Sequence, residues 1–358
     1  MKRVGDLFEK IVNIDNIVKA HYNAKQGKAH YDEVQMFDKD PYYYAKKIRE
    51  MLIDGSWIPA ISSKFKRVEN GKEREITNIK YFPDRVIHHA IMQVVEPVFQ
   101  TVYIKDTYQS IKGRGLHKGV MRVKQWLQDE ENSEYCLKID IQKFYPSLKQ
   151  HIIKDVCRKK IKCKPTLTLL DKLVDSEDGL PIGYYSSQCL GNFVLSFFDH
   201  HIKSFGAKYY IRYADDIVVL HKSKSFLHSL RKKMSLFLEN TLELKMKKNW
   251  QVFPLQKRGL DFLGYRFFRK YTLVRKSIVK KMKIAFKRAI YSLRDISRVM
   301  SYLGWVKHAN SYNLQRVYLP MVMQMVERAA KNIHIRNPLR KVYLLAKPTK
   351  KQLCFQLY

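Results

Sequence analysis

Hydrophobic residues recur at helical spacing through much of the N-terminal third of the chain. The first 55 residues look helical, apolar residues recur with helical period between Arg85 and Gln100, and another helix is predicted between His117 and Asp129. Residues 57–82 instead form short extended stretches around Asn70-Gly71, a dipeptide typical of a tight hairpin turn. The pattern therefore predicts helices on both sides of one β-hairpin.

Strand and helix patterns alternate in the central third. Apolar and polar residues alternate through 137–141, which predicts a strand with one polar face. Amphipathic helices are predicted over about 187–203 and 224–239, and a hairpin over 209–220 lies between them. The sequence therefore predicts a mixed α+β fold.

Beyond Leu273 only helical patterns remain. Ser277 and Asp295 precede apolar stripes and are predicted as helix N-caps, because their side-chain oxygens can accept the first free backbone N–H groups. The change in pattern places a domain boundary near residue 275.

Composition adds a strong preference for polyanionic partners. Lys and Arg total 68 against 33 Asp and Glu, a formal net charge of +35, which predicts binding to nucleic acid. Hydrophobic residues make up 46% of the chain, which excludes disorder over most of its length. No apolar stretch is long enough to span a membrane, and the five cysteines lack zinc-binding spacing. We therefore expect reduced thiols, no membrane association and a bacterial or phage cytoplasmic setting.

Three aspartates flanked by apolar strand residues stand out in so basic a chain. Asp140 lies in one predicted strand, and Asp215 and Asp216 lie at the turn of the predicted hairpin. If strand and hairpin are neighbours in one sheet, Asp140 and Asp215 converge. Carboxylate oxygens suit Mg²⁺, and two such ions would clamp the attacking and leaving oxygens of a phosphoryl transfer. The alternative is that the Asp-Asp pair only initiates a turn.

The residues around these aspartates resemble a known family. Tyr213-Ala214-Asp215-Asp216 resembles the YxDD box of reverse transcriptases, and residues 140–145 resemble their first catalytic motif. Further blocks resemble this family in its own order: residues 71–74 and 82–85 of the fingers, residues 110–115, Leu242-Glu243-Leu244 followed by Lys248, and the primer-grip turn at residues 262–265.

The resemblance implies an α+β right-hand polymerase fold with fingers, a palm containing an antiparallel sheet, and a helical thumb. We expect an N-terminal extension and fingers over residues 1–135 and the palm over 136–274, with finger elements at 150–180. The thumb and a basic tail are expected over 275–358.

One block narrows the resemblance to a subfamily. Residues 180–188 read Leu-Pro-Ile-Gly-Tyr-Tyr-Ser-Ser-Gln, where most reverse transcriptases read Pro-Gln-Gly followed by Ser-Pro. An apolar residue before the glycine and a glutamine after the serine resemble the enzymes of diversity-generating retroelements. The resemblance implies an enzyme that copies a template-repeat RNA into cDNA with errors at adenine, for mutagenic retrohoming. Its other partners would be dNTPs and a small basic helical accessory protein, expected to be oligomeric.

The resemblance also implies a role for each matching residue. Asp140 and Asp215 would bind two Mg²⁺ ions, for which Mn²⁺ could substitute, with the backbone carbonyl of Ile141 as a further ligand and Asp216 in support. Lys248 would be the general acid, although the choice within residues 245–248 stays open. The remaining implied contacts are with the incoming nucleotide, from Lys72, Arg74, Arg85, Tyr145, Ile182 and Gln188, and with the primer end, from Phe262, Leu263, Gly264 and Tyr265.

Other interpretations stay open. Lys72 and Arg85 could be structural cations, and Tyr145 and the 262–265 segment could be core residues. At the level of function, the alternatives are an abortive-infection or other defence reverse transcriptase and a maturase-like RNA-binding protein with a vestigial polymerase site. The intact Asp140, Asp215 and Asp216 argue against the vestigial site.

Overall fold

A computed structural model of the chain describes residues 2–69, 71–288 and 293–332. Helices dominate the described residues. They are α1 (Phe8–Ile11), α2 (Ile14–Ala24), α3 (Asp32–Lys39), α4 (Pro41–Ile53), α5 (Val86–Gln100), α6 (Leu116–Trp126), α7 (Phe144–Ser147), α8 (Gln150–Lys160), α9 (Lys164–Asp175), α10 (Tyr185–Ser204), α11 (Lys224–Leu242), α12 (Leu255–Arg258), α13 (Lys276–Lys287), α14 (Leu293–Lys307) and α15 (Tyr312–Asn332).

The strands form three sheets. They are β1 (Ser63–Glu69), β2 (Lys72–Asn78), β3 (Thr107–Tyr108), β4 (Tyr135–Asp140), β5 (Tyr209–Tyr213), β6 (Asp216–His221), β7 (Gln251–Pro254), β8 (Leu260–Phe262), β9 (Tyr265–Phe267) and β10 (Thr272–Val274). The largest sheet has the order β3-β5-β6-β4-β7, so β6 lies beside β4. Strands β5 and β6 are antiparallel, whereas β3 joins β5 in parallel. The other two sheets are the β1-β2 hairpin and the three-stranded β10-β9-β8 sheet.

The described residues divide into two compact units. The first consists of the chain up to Arg114, Leu137–Leu220 and Lys224–Val252. The second consists of Gly115–Cys136, His221–Ser223 and the chain from Phe253 onward. The candidate aspartates and the β1-β2 hairpin belong to the first unit, and the 262–265 turn belongs to the second.

Helices α5 and α10 form the centre of the first unit. Their apolar residues recur every three to four positions, so one stripe of each helix is buried, including Ile87 and Ile91 of α5 and Val194 and Phe198 of α10. The Phe99 ring stacks on the ring of Phe193, with centroids 3.7 Å apart. This packing fixes α10, which is the helix behind the β5-β6 hairpin in the site described below.

The second unit has a helical core. Buried residues of α13, α14 and α15 pack together, among them Met282, Phe286, Leu303 and Val322. The prediction of helices after Leu273 is therefore confirmed for the described residues up to Asn332, but the predicted N-caps are wrong. Helix α13 begins at Lys276 after Arg275, so Ser277 already lies inside it, and Asp295 lies in the first turn of α14.

Most predicted elements are present. The β1-β2 hairpin, α5, α6, α10, α11 and the 209–220 hairpin all form where the sequence pattern predicts them. The cysteines at 157, 163 and 189 are free thiols, and Cys354 lies outside the described residues. Within the described part of the chain, no helix combines the length and the apolar character needed to cross a membrane. The division into fingers, palm and thumb stays a prediction.

Candidate active site

The acidic pair lies on a tight hairpin turn. Tyr213 pairs with Asp216 across the β5-β6 ladder, so Ala214 and Asp215 form a two-residue loop. Ala214 adopts φ +53°, the positive backbone angle that such short loops require. Strand β6 lies beside β4, and Asp140 at the C-terminal end of β4 is close enough for its charge to act on both Asp215 and Asp216. The convergence expected from the sequence therefore occurs.

Two lysines pair with these carboxylates. The Lys247 ammonium lies 2.5 Å from Asp140 Oδ2, and Lys138 Nζ lies 3.5 Å from Asp216 Oδ2. Lys247 is placed by the backbone, since its N–H donates to the Asp140 carbonyl at 2.8 Å. Ile141 forms an isolated antiparallel bridge beside it, and its side chain is fully buried.

Burial and mutual repulsion favour the protonated forms of the adjacent aspartates. Burial, followed by the negative charge of Asp140, raises the pKa of Asp215 to about 6. Burial raises the pKa of Asp216 to about 7, although the Lys138 ammonium acts in the opposite direction. A cation placed between these groups would relieve both effects.

The donor set fits a hard divalent cation. Asp140 Oδ1 and Asp216 Oδ1 are buried and have no hydrogen-bond partner, so one oxygen of each is left to ligate. Carboxylate oxygens are the donors that Mg²⁺ and Mn²⁺ prefer. Among the described residues, however, no group of three or more His, Cys, Asp or Glu side chains is arranged so that it could hold a metal ion by itself. Mg²⁺ usually takes few protein ligands and completes its shell with water and substrate phosphates.

Tyr145 lies beside this acidic site. Burial, followed by the charge of Asp215, raises the pKa of Tyr145 to about 12, so its phenol stays neutral. The ring is held from behind by α10, where Gly191 allows a close approach. A Cβ at Gly191 would lie 3.1 Å from the Phe144 ring and 3.3 Å from the Tyr145 ring.

Residues 180–184 form a loop before α10, and backbone contacts fix this loop. The Ile182 carbonyl accepts the N–H of Thr77 on β2 at 2.8 Å, and the Ile182 side chain is half-buried. Gly183 has φ +124°, and a Cβ there would stand 2.2 Å from the Thr77 carbonyl oxygen. Only glycine therefore fits this position. Gln188, exposed on α10, accepts a hydrogen bond from the Ser110 hydroxyl.

The three predicted nucleotide-binding cations lie on two elements. Lys72 and Arg74 are on β2, where the backbone of Lys72 lies opposite that of Glu69 and the backbone of Arg74 lies opposite that of Arg67. The Arg74 side chain is exposed. Arg85 ends a π-helical turn and is half-buried, and burial lowers its pKa. Its guanidinium donates to the Ile79 carbonyl at 3.4 Å, and its Nε is buried without a partner.

Lys248 differs from its neighbour Lys247. It lies in the turn after Met246 and is exposed, whereas Lys247 contacts Asp140. Of the lysines considered as a general acid, the structure brings Lys247 to the aspartates.

The predicted primer-grip turn lies in the second unit. Leu263 and Gly264 have φ +50° and +75° and connect β8 to β9 as a two-residue loop. The Phe262 and Tyr265 side chains are fully buried, and the Tyr265 hydroxyl donates to the Trp305 carbonyl at 2.9 Å. Nucleic acid could therefore meet this turn only through its backbone and the edge of Leu263, which is 6% exposed.

Comparison with known proteins identifies the family. Residues 63–267, more than half of the chain, match the family described as Reverse transcriptase (RNA-dependent DNA polymerase). The chain belongs to the reverse transcriptase family. The Escherichia coli (strain K12) protein named Protein YkfC is 23% identical over 270 residues, which cover 62% of this chain and 71% of that protein. The family match confirms the enzyme class predicted from the sequence.

Solved telomerase structures share the fold. Apo telomerase from Candida tropicalis has a TM-score of 0.52 at 10% identity, covering 79% of this chain and 61% of that chain. Candida tropicalis telomerase in complex with a TWJ fragment of telomeric RNA has a TM-score of 0.51 at 10% identity, covering 85% and 61%. The reverse transcriptase chain thus spans about three-fifths of these telomerase chains. The likeness confirms the predicted α+β polymerase fold.

Sequence reasoning missed several residues of the site. Lys138 lies two positions before Asp140 on the same strand, so the two-residue repeat of a strand could have placed it beside the acidic site. In the sequence, Lys247 is one lysine within the basic run of residues 245–248, and nothing local separates it from the others. Arg212 and Asp199 form a fully buried ion pair. The sequence feature that could have revealed them is a single charged residue within each of two apolar stretches.

Proposed function

We propose that this reverse transcriptase is a divalent-metal-dependent RNA-directed DNA polymerase in which Asp140, Asp215 and Asp216 form the catalytic centre. The observation that carries this proposal is the meeting of three carboxylates from adjacent strands, with two buried oxygens left unpartnered. Divalent cations bound there would activate the primer 3′-hydroxyl and stabilise charge on the transferred phosphoryl group. Asp140 and Asp215 would hold these ions, with Asp216 and the Ile141 carbonyl in support.

The surrounding residues suit a deoxynucleotide substrate. The Tyr145 ring, packed against Gly191 and close to Asp215, would fill the space of a ribose 2′-hydroxyl and so select dNTPs. The exposed Arg74 guanidinium on β2 would bind the triphosphate oxygens bidentately, with Lys72 and Arg85 as further candidate cations. Lys247, already paired with Asp140, is the strongest candidate to protonate the leaving pyrophosphate.

The finer proposal is that the enzyme copies a template-repeat RNA into cDNA with errors concentrated at adenine. It rests on the resemblance of residues 180–188 to diversity-generating retroelements and on the position of Ile182, whose carbonyl is held by the β1-β2 hairpin. An apolar side chain beside a nascent base pair cannot supply a hydrogen bond that is made on the correct pair and lost on a wrong one. We also propose a small basic helical accessory protein as a partner.

Sequencing of cDNA made by the purified enzyme tests both the polymerase activity and the proposed errors at adenine. The enzyme is incubated with dNTPs and a defined RNA, with and without the candidate accessory protein. Mg²⁺-dependent templated cDNA with substitutions clustered at template adenines is expected. Templated but accurate cDNA would contradict the retroelement assignment alone, and untemplated product would favour the defence-type alternative.

The variant Ile182→Gln tests the origin of the errors. Even one discriminating contact worth about 1.4 kcal/mol changes selectivity about tenfold, so misincorporation opposite adenine should fall more than opposite the other bases. Ile53→Gln, an isoleucine on the exposed side of α4, is the matched control and should leave the error spectrum unchanged. An active Ile182→Gln enzyme with the wild-type spectrum would place the source of infidelity elsewhere.

A further inference from the structure

A fully buried ion pair lies directly behind the acidic turn. Arg212 is on β5, two residues before Ala214, and Asp199 is on α10. Both side chains have an exposed fraction of 0%. Burying two charges is costly unless the geometry is good and every remaining donor and acceptor is satisfied.

All five N–H groups of the Arg212 guanidinium are used. Nε donates to Asp199 Oδ1 at 2.8 Å, and Nη2 donates to Asp199 Oδ2 at 2.7 Å. Nη2 also donates to the Asn192 backbone carbonyl at 3.2 Å, and Nη1 donates to Asn192 Oδ1 at 2.9 Å. The remaining N–H of Nη1 donates to the Ala214 carbonyl at 3.1 Å.

Asp199 is satisfied independently of Arg212. The Tyr210 hydroxyl donates to Asp199 Oδ1 at 2.5 Å, and the Thr107 hydroxyl donates to Oδ2 at 3.0 Å. The carboxylate is therefore fixed from β3 and β5 as well as by its own helix. It forms a rigid anchor against which the guanidinium can be oriented.

The hydrogen bond to Ala214 acts on the catalytic turn itself. The Ala214 carbonyl belongs to the peptide that joins Ala214 to Asp215, so fixing this oxygen fixes the orientation of the peptide from which Asp215 projects. Ala214 has φ +53°, a backbone angle that costs a non-glycine residue energy and persists only where the surroundings hold it. The Arg212 guanidinium contacts this strained residue directly, through the hydrogen bond to its carbonyl.

We propose that Arg212 is a positioning residue for Asp215: its guanidinium, anchored on Asp199 and Asn192, sets the turn that presents the carboxylate to the metal ions. This inference rests on the proposed function, because it assumes that Asp215 binds metal. Arginine is required because its planar guanidinium directs five N–H donors to Asp199, Asn192 and Ala214 at once. A lysine ammonium has three donors on a single nitrogen and cannot bind all three partners.

The test compares Arg212→Lys with Tyr210→Phe. Arg212→Lys keeps the buried positive charge but loses the fork, whereas Tyr210→Phe removes one hydrogen bond to Asp199 and leaves all five bonds of Arg212. Three quantities are measured: the melting temperature, Mn²⁺ affinity by electron paramagnetic resonance without nucleotide, and the Mg²⁺ concentration that gives half the maximal single-turnover rate.

We expect Arg212→Lys to weaken Mn²⁺ binding and to raise the Mg²⁺ midpoint, each by about tenfold, which corresponds to the loss of about one hydrogen bond to a charged group. Tyr210→Phe should lower the melting temperature while both metal measurements stay within about twofold of the wild type. Folded Arg212→Lys enzyme with wild-type Mn²⁺ affinity and Mg²⁺ midpoint would overturn the inference.

A second variant keeps the test decisive if Arg212→Lys does not fold. Asn192→Ala removes the acceptor that shares Nη1 with Ala214 but leaves the ion pair with Asp199 intact. It should shift both metal measurements in the same direction by about threefold, and an unshifted Asn192→Ala enzyme would overturn the inference. A wild-type enzyme that binds Mn²⁺ but polymerises nothing would refute the proposed function instead.

Discussion

Gly183 is the position where a single added methyl group tests how the loop of residues 180–184 is held against β2. Alanine there would meet two obstacles at once. Its φ of +124° is a backbone conformation that L side chains rarely adopt, and its Cβ would stand 2.2 Å from the Thr77 carbonyl oxygen. Because that oxygen belongs to a strand backbone, it cannot turn aside as a flexible side chain would. The loop must therefore leave β2.

The cost of Gly183→Ala follows from these two obstacles. A residue held in a sparsely populated backbone region costs about 1–3 kcal/mol. Separation from β2 also breaks the Thr77 to Ile182 hydrogen bond, worth about 1 kcal/mol. The total of about 2–4 kcal/mol would lower the melting temperature by roughly 5–15 °C. The displaced loop should also raise the KM for dNTPs about tenfold, since we propose that Ile182 lies beside the incoming nucleotide.

Gly206→Ala is the matched control. Gly206 follows α10, has φ +83°, and has no heavy atom within 4 Å of the added Cβ. Alanine there should lower the free energy of unfolding by about 1 kcal/mol, because only the positive backbone angle is unfavourable. Melting curves and dNTP titrations of the two variants are compared with those of the wild type. If the melting temperature of Gly183→Ala equals that of Gly206→Ala and its KM for dNTPs is unchanged, the contact between the loop and β2 neither stabilises the fold nor places the loop beside the nucleotide.

Three further outcomes are expected. The double variant Asp215→Ala/Asp216→Ala should abolish dNTP incorporation yet bind RNA almost normally, because the net charge of +35 supplies the phosphate affinity; retained incorporation would refute the site. Lys247→Met should slow single-turnover incorporation by about tenfold or more, whereas Lys248→Met should not. The reason is that, of these two lysines, Lys247 contacts Asp140. A slow Lys248→Met enzyme beside a normal Lys247→Met enzyme would identify Lys248 as the general acid. RNA affinity in filter-binding assays should fall steeply with salt as counterions are released, and a flat dependence would mean that the charge serves another partner.

Local sequence signals predicted the elements that local chemistry determines. The apolar stripes of α5 and α10 predicted their helices, because one face of each is buried throughout. The turn at Ala214-Asp215 was also predictable, since polar residues interrupt two apolar strands there. Placing Asp140 next to that turn required only the assumption that strand and hairpin share one sheet.

The residues that were missed depend on tertiary pairing. Within residues 245–248 the lysines look alike, and only the alignment of this segment with β4 brings Lys247 to Asp140. Arg212 and Asp199 are 13 positions apart in different elements, and no local pattern predicts their pairing. Ser277 failed as a predicted N-cap because α13 already begins at Lys276, so its capping preference was not used.

The way in which Ile182 is attached has a consequence for how such an enzyme can change. The loop is tied to β2 through the Ile182 carbonyl and through the absence of a side chain at Gly183, so neither restraint involves the Ile182 side chain. Many amino acids could replace Ile182 and leave the backbone where it is. Copying accuracy, if this side chain governs it, is thereby separated from folding, and one codon change could retune the error spectrum without destabilising the polymerase.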